Sequence, residues 1–280
     1  MRLLLLFLFL NVTHAAELVC AGGNEVFIVD AAKAEAGVIE KLWRWSGEDT
    51  PDLPDDARKA FHHLDECKPV ENGTKLLVCA SNGGCVLLDR ATKHIQWRAH
   101  ARNAHSVELL PHERVVVASS LSGDHLELFD LNGSNTAVFK TPLRSAHGVV
   151  WDEERKCLWA LGFDELRCYT LENWESATPA LELKSTHKLP DNDGHDLRPV
   201  PGSAALILST EHGVHRFDRE TQTFQPHPTL ATEAKVKSVD IHPADGRIVL
   251  SQWGRVVRLL APDGRITFKD ASPYKVRWMP

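Results

Sequence analysis

The sequence lacks the short motifs that would assign a function directly. It contains no Cys-x-x-Cys motif, no glycine-rich loop of the kind that cradles phosphate, and no nucleophile elbow around a serine. The first absence argues against a zinc or redox site built on cysteine. The other two argue against phosphate-binding enzymes and serine hydrolases. No reaction class therefore follows from a short motif alone.

Blocks of one charge and low-complexity segments are also missing. The 280 residues include 38 acids and 32 bases, which gives a net charge of −6 without any cluster of Lys and Arg. A nucleic-acid-binding protein is not expected from this balance. Apolar residues make up 43% of the chain, against only 17 Gly and 15 Pro, so disorder is excluded. The length suits one large domain or two small ones.

Only one long apolar run occurs, and it lies at the N-terminus. Met1 and Arg2 precede the apolar residues Leu3 to Leu10, and a small polar stretch follows up to Ala16. This order is typical of a secretory signal peptide, and we expect residues 1–15 to be removed near Ala15. A short buried strand or an anchor is the alternative, but a membrane span needs about 20 apolar residues. We therefore expect a secreted or periplasmic protein without an integral membrane span.

The six cysteines are compatible with an oxidising compartment. Cys157 and Cys168 lie symmetrically about one predicted turn, and Cys79 and Cys85 flank another. Cross-strand disulfides demand a specific geometry. We therefore expect buried free thiols rather than disulfides.

An internal repeat determines the predicted fold. Each unit has a first strand that opens with a polar or amphipathic residue, an apolar second strand that ends in small residues, a third strand that often ends in Asp, and a weaker fourth strand. The second strand recurs in segments 18–22, 76–81, 115–120, 158–162, 206–210 and 248–252. Four short strands at a period near 42 residues are typical of a β-propeller blade.

The first strands align on one position of the repeat. That position holds Asp65, His105, His147, His195, Lys237 and Tyr274, at successive spacings of 40, 42, 48, 42 and 37 residues. The last copy has only a first strand, so residues 18–30 are predicted to supply its second and third strands. This pairing closes an all-β six-bladed β-propeller over residues 16–280 as a single domain.

Two segments depart from the repeat. Residues 31–61 contain an acidic stretch with two prolines and then a helical pattern, which predicts a loop insertion on one face. Residues 184–193 account for the spacing of 48 residues and are predicted to form a second loop.

The repeat resembles that of secreted six-bladed β-propellers, a family poor in assigned functions, and more loosely that of other β-propeller repeat proteins. The resemblance covers nearly the whole chain after the predicted signal peptide and implies the architecture. It implies little about activity, because propellers host many functions. The acidic ligands of the calcium-binding lactonase propellers have no match here, so that activity is not implied.

The aligned first-strand position predicts a functional site. First strands run beside the axis of a propeller, so their first residues should gather at one mouth of the central channel. Three imidazoles and a carboxylate suit a divalent ion such as Zn, Mn or Fe, and the candidate ligands are Asp65, His105, His147 and His195. Candidate catalytic groups are His105, His147, His195, Lys237 and Tyr274.

Further candidates would bind a ligand at the same mouth. Arg102 and Arg144 each precede a histidine of the ring by three residues, and Lys275 follows Tyr274. These cations suit a carboxylate or a phosphate. Loops expected on this face contribute His63, Asn82, His212 and Trp253, and the indole of Trp253 suits stacking on a sugar ring.

Two function classes remain open at this point. The first is a ligand-binding protein or a metal-assisted enzyme, a lyase or hydrolase, that acts on an anionic small molecule such as an acidic sugar. Oligosaccharide lyases built on propellers with a histidine-bound metal are similar in this one respect, although they have a seventh blade. The second is a non-catalytic binding or scaffold propeller whose polar channel is merely structural.

Overall fold

The computed structural model describes residues 16–51 and 53–280, so the predicted signal peptide of residues 1–15 lies outside the described part. Within these two ranges, 24 strands form six four-stranded antiparallel sheets in a ring. The predicted six-bladed β-propeller is confirmed. No helix in the same ranges is long and apolar enough to cross a bilayer.

The closing blade combines strands from both ends of the described chain. It contains β1 (Glu17–Gly22), β2 (Glu25–Asp30), β3 (Trp43–Trp45) and β24 (Lys275–Trp278), in the order β24-β1-β2-β3. The antiparallel register of β1 and β24 runs from Leu18 opposite Trp278 to Ala21 opposite Lys275. The ring therefore closes by pairing of the two chain ends, as the sequence predicts.

The other five blades use consecutive strands. Blade 1 contains β4 (Leu64–Val70), β5 (Lys75–Ala80), β6 (Gly84–Asp89) and β7 (Ile95–His100). Blade 2 contains β8 (Ala104–Leu110), β9 (Arg114–Ser119), β10 (His125–Asp130) and β11 (Phe139–Pro142). Blade 3 contains β12 (Gly148–Asp152), β13 (Cys157–Leu161), β14 (Glu165–Glu172) and β15 (Ala180–Lys188).

Blade 4 contains β16 (Asp196–Pro199), β17 (Ala205–Ser209), β18 (Val214–Asp218) and β19 (Thr223–Pro226). Blade 5 contains β20 (Val236–Ile241), β21 (Ile248–Gln252), β22 (Val256–Leu260) and β23 (Gly264–Thr267). The helices of the described chain are short. They are α1 (Ala31–Glu35), α2 (Asp55–Arg58) and the 3-10 turns Lys59–Phe61 and Glu71–Gly73.

The hydrophobic core lies between neighbouring blades. Val115, Val116 and Val117 of β9 are all fully buried, because both faces of this strand are covered. Val117 packs in one cluster with Leu77 of blade 1, whereas Val116 packs in another with Val149 of blade 3. Burial on both faces explains why the second strands are continuous apolar runs instead of alternating sequences.

The two predicted loops contain more strand than expected. Segment 31–61 includes β3, which pairs with β2 and forms the fourth strand of the closing blade. Segment 184–193 is a loop only in its second half, because β15 continues to Lys188 opposite Glu165. Both strands lie at the outer edge of a blade and are partly exposed. They therefore lack the apolar run that marks the inner strands.

All six cysteines are buried and free, as the sequence predicts. Cys79 and Cys85 lie opposite each other in the register of β5 and β6, yet they form no disulfide. Burial raises the pKa of both thiols. These cysteines are therefore interior groups with little thiolate at neutral pH.

Buried charges fill the axis of the ring. Arg277 of β24 is fully buried, and its guanidinium bonds to two carboxylates. Its Nε and Nη2 donate to Glu66 at 3.0 and 3.1 Å, and its Nη1 and Nη2 donate to Asp196, both at 2.7 Å. The Nζ of the buried Lys275 lies 3.5 Å from Glu66 and 3.2 Å from Asp196. β24 therefore brings two cations to carboxylates of blades 1 and 4.

Two further ion pairs balance the axial charges. Lys68 pairs with Glu108 at 2.9 Å, and Arg198 pairs with Asp240 at 3.0 Å. The network thus holds four cations and four carboxylates: Lys68, Arg198, Lys275 and Arg277 with Glu66, Glu108, Asp196 and Asp240. Burial alone would raise the pKa of Asp196, but the charges of Arg277 and Lys275 lower it to about 2. Glu66, whose pKa is lowered by the same two cations, and Asp196 are therefore ionised at neutral pH.

We predict that Arg277→Met lowers the free energy of unfolding by about 3–5 kcal/mol, because Glu66 and Asp196 then lose their shared partner while they stay buried. Chemical denaturation measures this loss. The matched control is Arg265→Met, since Arg265 is exposed on β23, and it should change stability by less than about 0.5 kcal/mol. Equal losses in the two variants would contradict a dominant role for the axial network.

Candidate functional site

The six aligned first-strand residues line one cavity at the axis. Its volume is about 400 Å³, and its wall includes Asp65, His105, His147, His195, Lys237 and Tyr274. His63, Leu121, Asp193 and Trp253 contribute from the surrounding loops. We call this space the axial cavity. The buried charges of Lys275 and Arg277 lie one and three residues beyond the ring position of their strand.

Local irregularities turn the ring residues toward the axis. The registers of blades 1, 2 and 5 shift between Leu64 and Glu66, between Ala104 and Ser106, and between Val236 and Ser238. Each shift leaves the ring residue as the extra residue of a bulge, so that it and its successor both reach the axis. The residue two positions earlier has a positive φ in five blades, as seen for His63, Asn103, Ser145, Asp193 and Lys235.

The three histidines share one hydrogen-bond pattern. In each, Nδ1 lies close to the carbonyl oxygen two residues earlier, at 3.0 Å for His105, 2.9 Å for His147 and 2.6 Å for His195. Since a carbonyl oxygen only accepts, each Nδ1 carries the hydrogen and each Nε2 keeps its lone pair. The ring centroids of His105 and His147 are 4.4 Å apart, and those of His147 and His195 are 5.3 Å apart.

Burial sets the protonation of this ring. It lowers the pKa of His105, His147 and His195, and the shift is largest for His147, which also lies between the other two imidazoles. Burial also lowers the pKa of Lys237, whose Nζ donates to Nε2 of His195. No carboxylate of the described residues lies within 4.0 Å of this Nζ. The cavity therefore presents neutral imidazoles beside an amine that makes no direct ion pair, although the charges of Asp193 and Glu211 act on it from a greater distance.

Asp65 lies two positions from Lys237 in the ring order, with Tyr274 between them. Its pKa is raised by burial, and Ser81 donates a hydrogen bond to its carboxylate. The Oδ1 of Asp65 is 4.0 Å from Nε2 of His105. This separation is longer than a hydrogen bond, so the two groups interact through charge at the cavity wall.

Aromatic and aliphatic groups form the rim. Trp253 is 76% exposed and packs edge-to-face on Tyr274, with ring centroids 6.0 Å apart. The Nζ of Lys237 lies 5.6 Å from the centroid of the Trp253 ring. Leu121, which is 64% exposed, also lines the cavity. The mouth of the axial cavity thus combines an exposed indole, a neighbouring amine and several polar side chains. This combination suits a cyclic ligand that carries polar groups.

Five of the seven predicted ligand-binding residues do not line the axial cavity. Arg102 and Arg144 are exposed outside it, and the guanidinium of Arg144 stacks on Phe163 at 3.9 Å. His212 is exposed and bonds to Asp191 at 3.0 Å. Asn82 donates to the carbonyl oxygen of Lys59 at 3.2 Å and faces a different cavity. His63 and Trp253 do reach the axial cavity, whereas Lys275 lies buried in the ion network.

Sequence reasoning missed most of the charged floor beneath the ring. Glu66 and Asp196 directly follow Asp65 and His195, and Arg277 stands three residues after Tyr274. Alternation along a strand places positions one and three beyond the ring residue on the axial face. The sequence therefore does mark this floor, by charged residues one and three positions after the aligned residue of the first strand. They are hard to recognise because the residue type at these positions changes from blade to blade.

The described residues contain no group of three or more His, Cys, Asp or Glu side chains arranged to hold a metal ion. One contact bears on this, because Lys237 donates to Nε2 of His195 and so uses the lone pair that a metal ion would need. The arrangement supports hydrogen bonding directly, and a metal site on His195 only after Lys237 moves.

The chain belongs to a family of unknown function, DUF6528, whose model matches residues 19–280. The match covers all six blades. A comparison with curated proteins found no match. The axial cavity is therefore the main source of functional information.

We predict that protein stability falls as the pH drops from 7.5 to about 5.5, and that His147→Gln reduces this fall. The unfolded chain takes up protons near pH 6.5, whereas the buried imidazole of His147 stays neutral. The free energy of unfolding therefore declines below the unfolded pKa. Melting temperatures at the two pH values measure the effect in both proteins. An equal decline in the variant would contradict the assigned role of His147.

Proposed function

Since its family carries no assigned function, we propose from the axial cavity that this protein binds a small carboxylated sugar. The observation that carries the proposal is the position of Lys237, a buried amine with no carboxylate of the described residues within 4.0 Å, beside the exposed ring of Trp253. A sugar carboxylate would give this amine a direct ion pair, and the indole would cover one face of the sugar ring.

The histidine ring supports the recognition of hydroxyl groups. The Nε2 atoms of His105 and His147 keep lone pairs that accept from a hydroxyl, because each Nδ1 is held by a backbone carbonyl. A cavity of about 400 Å³ is within the usual range for small-molecule sites. The fixed imidazoles require little reorganisation when the ligand enters, which favours affinity.

Glucuronate tests the proposal, with glucose as the neutral analogue. Calorimetric titration should show saturable binding of glucuronate and weaker binding of glucose. Lys237→Gln should weaken the binding of glucuronate by about tenfold or more, because a charge-assisted hydrogen bond is lost. Lys235→Gln is the matched control, since Lys235 is exposed two residues earlier. Equal affinities for the two sugars, or equal losses in the two variants, would overturn the proposal.

A metal-assisted enzyme, a lyase or hydrolase for the same sugars, is the second candidate. The observation that favours it is the Nδ1 contact shared by His105, His147 and His195, because a backbone carbonyl on Nδ1 is typical of metal-bound histidines. If Lys237 moves off His195, three Nε2 atoms and the Asp65 carboxylate face one space. A Zn, Mn or Fe ion there would polarise an oxygen of the substrate.

Elemental analysis tests this second candidate. Metal-free protein is incubated with Zn, Mn or Fe(II) and then desalted, and about one ion per chain is expected to remain. His147→Ala should abolish retention, whereas His212→Ala should not, because His212 lies outside the axial cavity. Absence of bound metal, with no change in melting temperature when metal is added, would remove the metal-assisted candidate. The sugar-binding proposal would stand.

A further inference from the structure

A second cavity lies between the insertion and blade 1, away from the axial cavity. Its volume is about 590 Å³. One wall comes from residues 53–61 of the insertion, and the other comes from the edge of blade 1 at Gly84 and residues 98–100. Asn82 and Asn135 complete the lining. We call this cavity the insertion groove.

Packing fixes the apolar wall of the insertion groove. Phe61 is 3% exposed and packs edge-to-face on Trp45, with centroids 5.3 Å apart. A β-carbon on Gly84 would come within 2.7 Å of Phe61, and one on Gly47 would come equally close. Gly84 thus lets Phe61 dock tightly against blade 1, and Gly47 lets it dock against the segment that follows β3. The groove is therefore preformed, because its wall belongs to the hydrophobic core.

Cationic groups dominate the polar part of the insertion groove. Lys59 and Arg98 line it, together with the imidazole of His100. Neither Lys59 nor Arg98 has a carboxylate within 4.0 Å among the residues that the structure describes. Asp56 is the acidic group of the lining, and its Oδ1 accepts from the backbone of Ala57 at 3.0 Å. The groove thus combines unpaired positive charge with an apolar wall.

We propose that the insertion groove is a second binding site, which takes a small organic anion with an apolar body. Arg98 bonds the carboxylate through two parallel N–H groups, and Lys59 adds a point charge. The apolar body packs against Pro54, Ala57 and Ala60, which line the groove above the buried Leu53 and Phe61. Asn82 and Asn135 accept or donate at the edges of the ligand. The site is independent of the axial cavity, which shares none of these residues.

Benzoate is the probe, and benzamide is its neutral analogue. Calorimetry and ligand-observed NMR on the full chain should show saturable binding of benzoate, with a dissociation constant on the order of 1 mM, and weaker binding of benzamide. Arg98→Gln should weaken the binding of benzoate by about tenfold. If this variant is unstable, Lys59→Gln at the exposed end of the groove gives the second measurement.

Two controls locate the effect. Arg102→Gln removes an exposed arginine outside both cavities and should leave the affinity for benzoate unchanged. Trp253→Ala alters the axial cavity and should also leave it unchanged. Loss of binding in Trp253→Ala with full binding in Arg98→Gln would assign benzoate to the axial cavity and overturn this proposal. Equal affinities for benzoate and benzamide, or no saturable binding, would also overturn it.

Discussion

The ring of blades depends on the hydrogen bonds that the guanidinium of Arg277 makes to two buried carboxylates. This guanidinium lies on β24 of the closing blade and bonds at once to Glu66 on blade 1 and Asp196 on blade 4. Three blades that are distant in sequence are thus tied at a single point on the axis. Buried charges are tolerated only when each is paired. Folding brings the four cations and the four carboxylates together. The folded state in turn requires that their charges balance.

The same strand also orients the candidate site. The Nζ of Lys275 donates to the carbonyl oxygen of His105 at 3.2 Å and lies 3.5 Å from that of His147. These two residues present their imidazoles to the axial cavity just above. The position of the histidine ring is thus coupled to ring closure through one buried ammonium. The floor of the axial cavity is thus a set of charges that already neutralise one another.

Much of the fold could be predicted from sequence because the second strands are buried on both faces. A continuous apolar segment such as Val115 to Ala118 recurs at nearly constant spacing, which reveals both the number of blades and the closure. The outer strands β3 and β15 have one exposed side and therefore lack a continuous apolar run. For this reason the sequence predicts loops where β3 and the end of β15 lie. Burial on both faces, and not strand length, therefore determines which strands can be predicted from the sequence.

The candidate site was predictable in part for a similar reason. His105, His147 and His195 repeat one residue type at one position, which marks the axis. Arg102 and Arg144 repeat at one position as well, but both are exposed and neither lines the axial cavity. Glu66 and Arg277 were harder to recognise, since their partnership joins residues 211 positions apart.

During translation, the carboxylates of the ion network are synthesised before the cations of β24. β24 follows the other 23 strands of the described chain, so a nascent chain that has not reached residue 275 holds Glu66 and Asp196 without their shared counter-ion. β1 then also exposes an unpaired edge that invites pairing with other chains. Within the described chain, the first strands thus belong to the blade that is completed last.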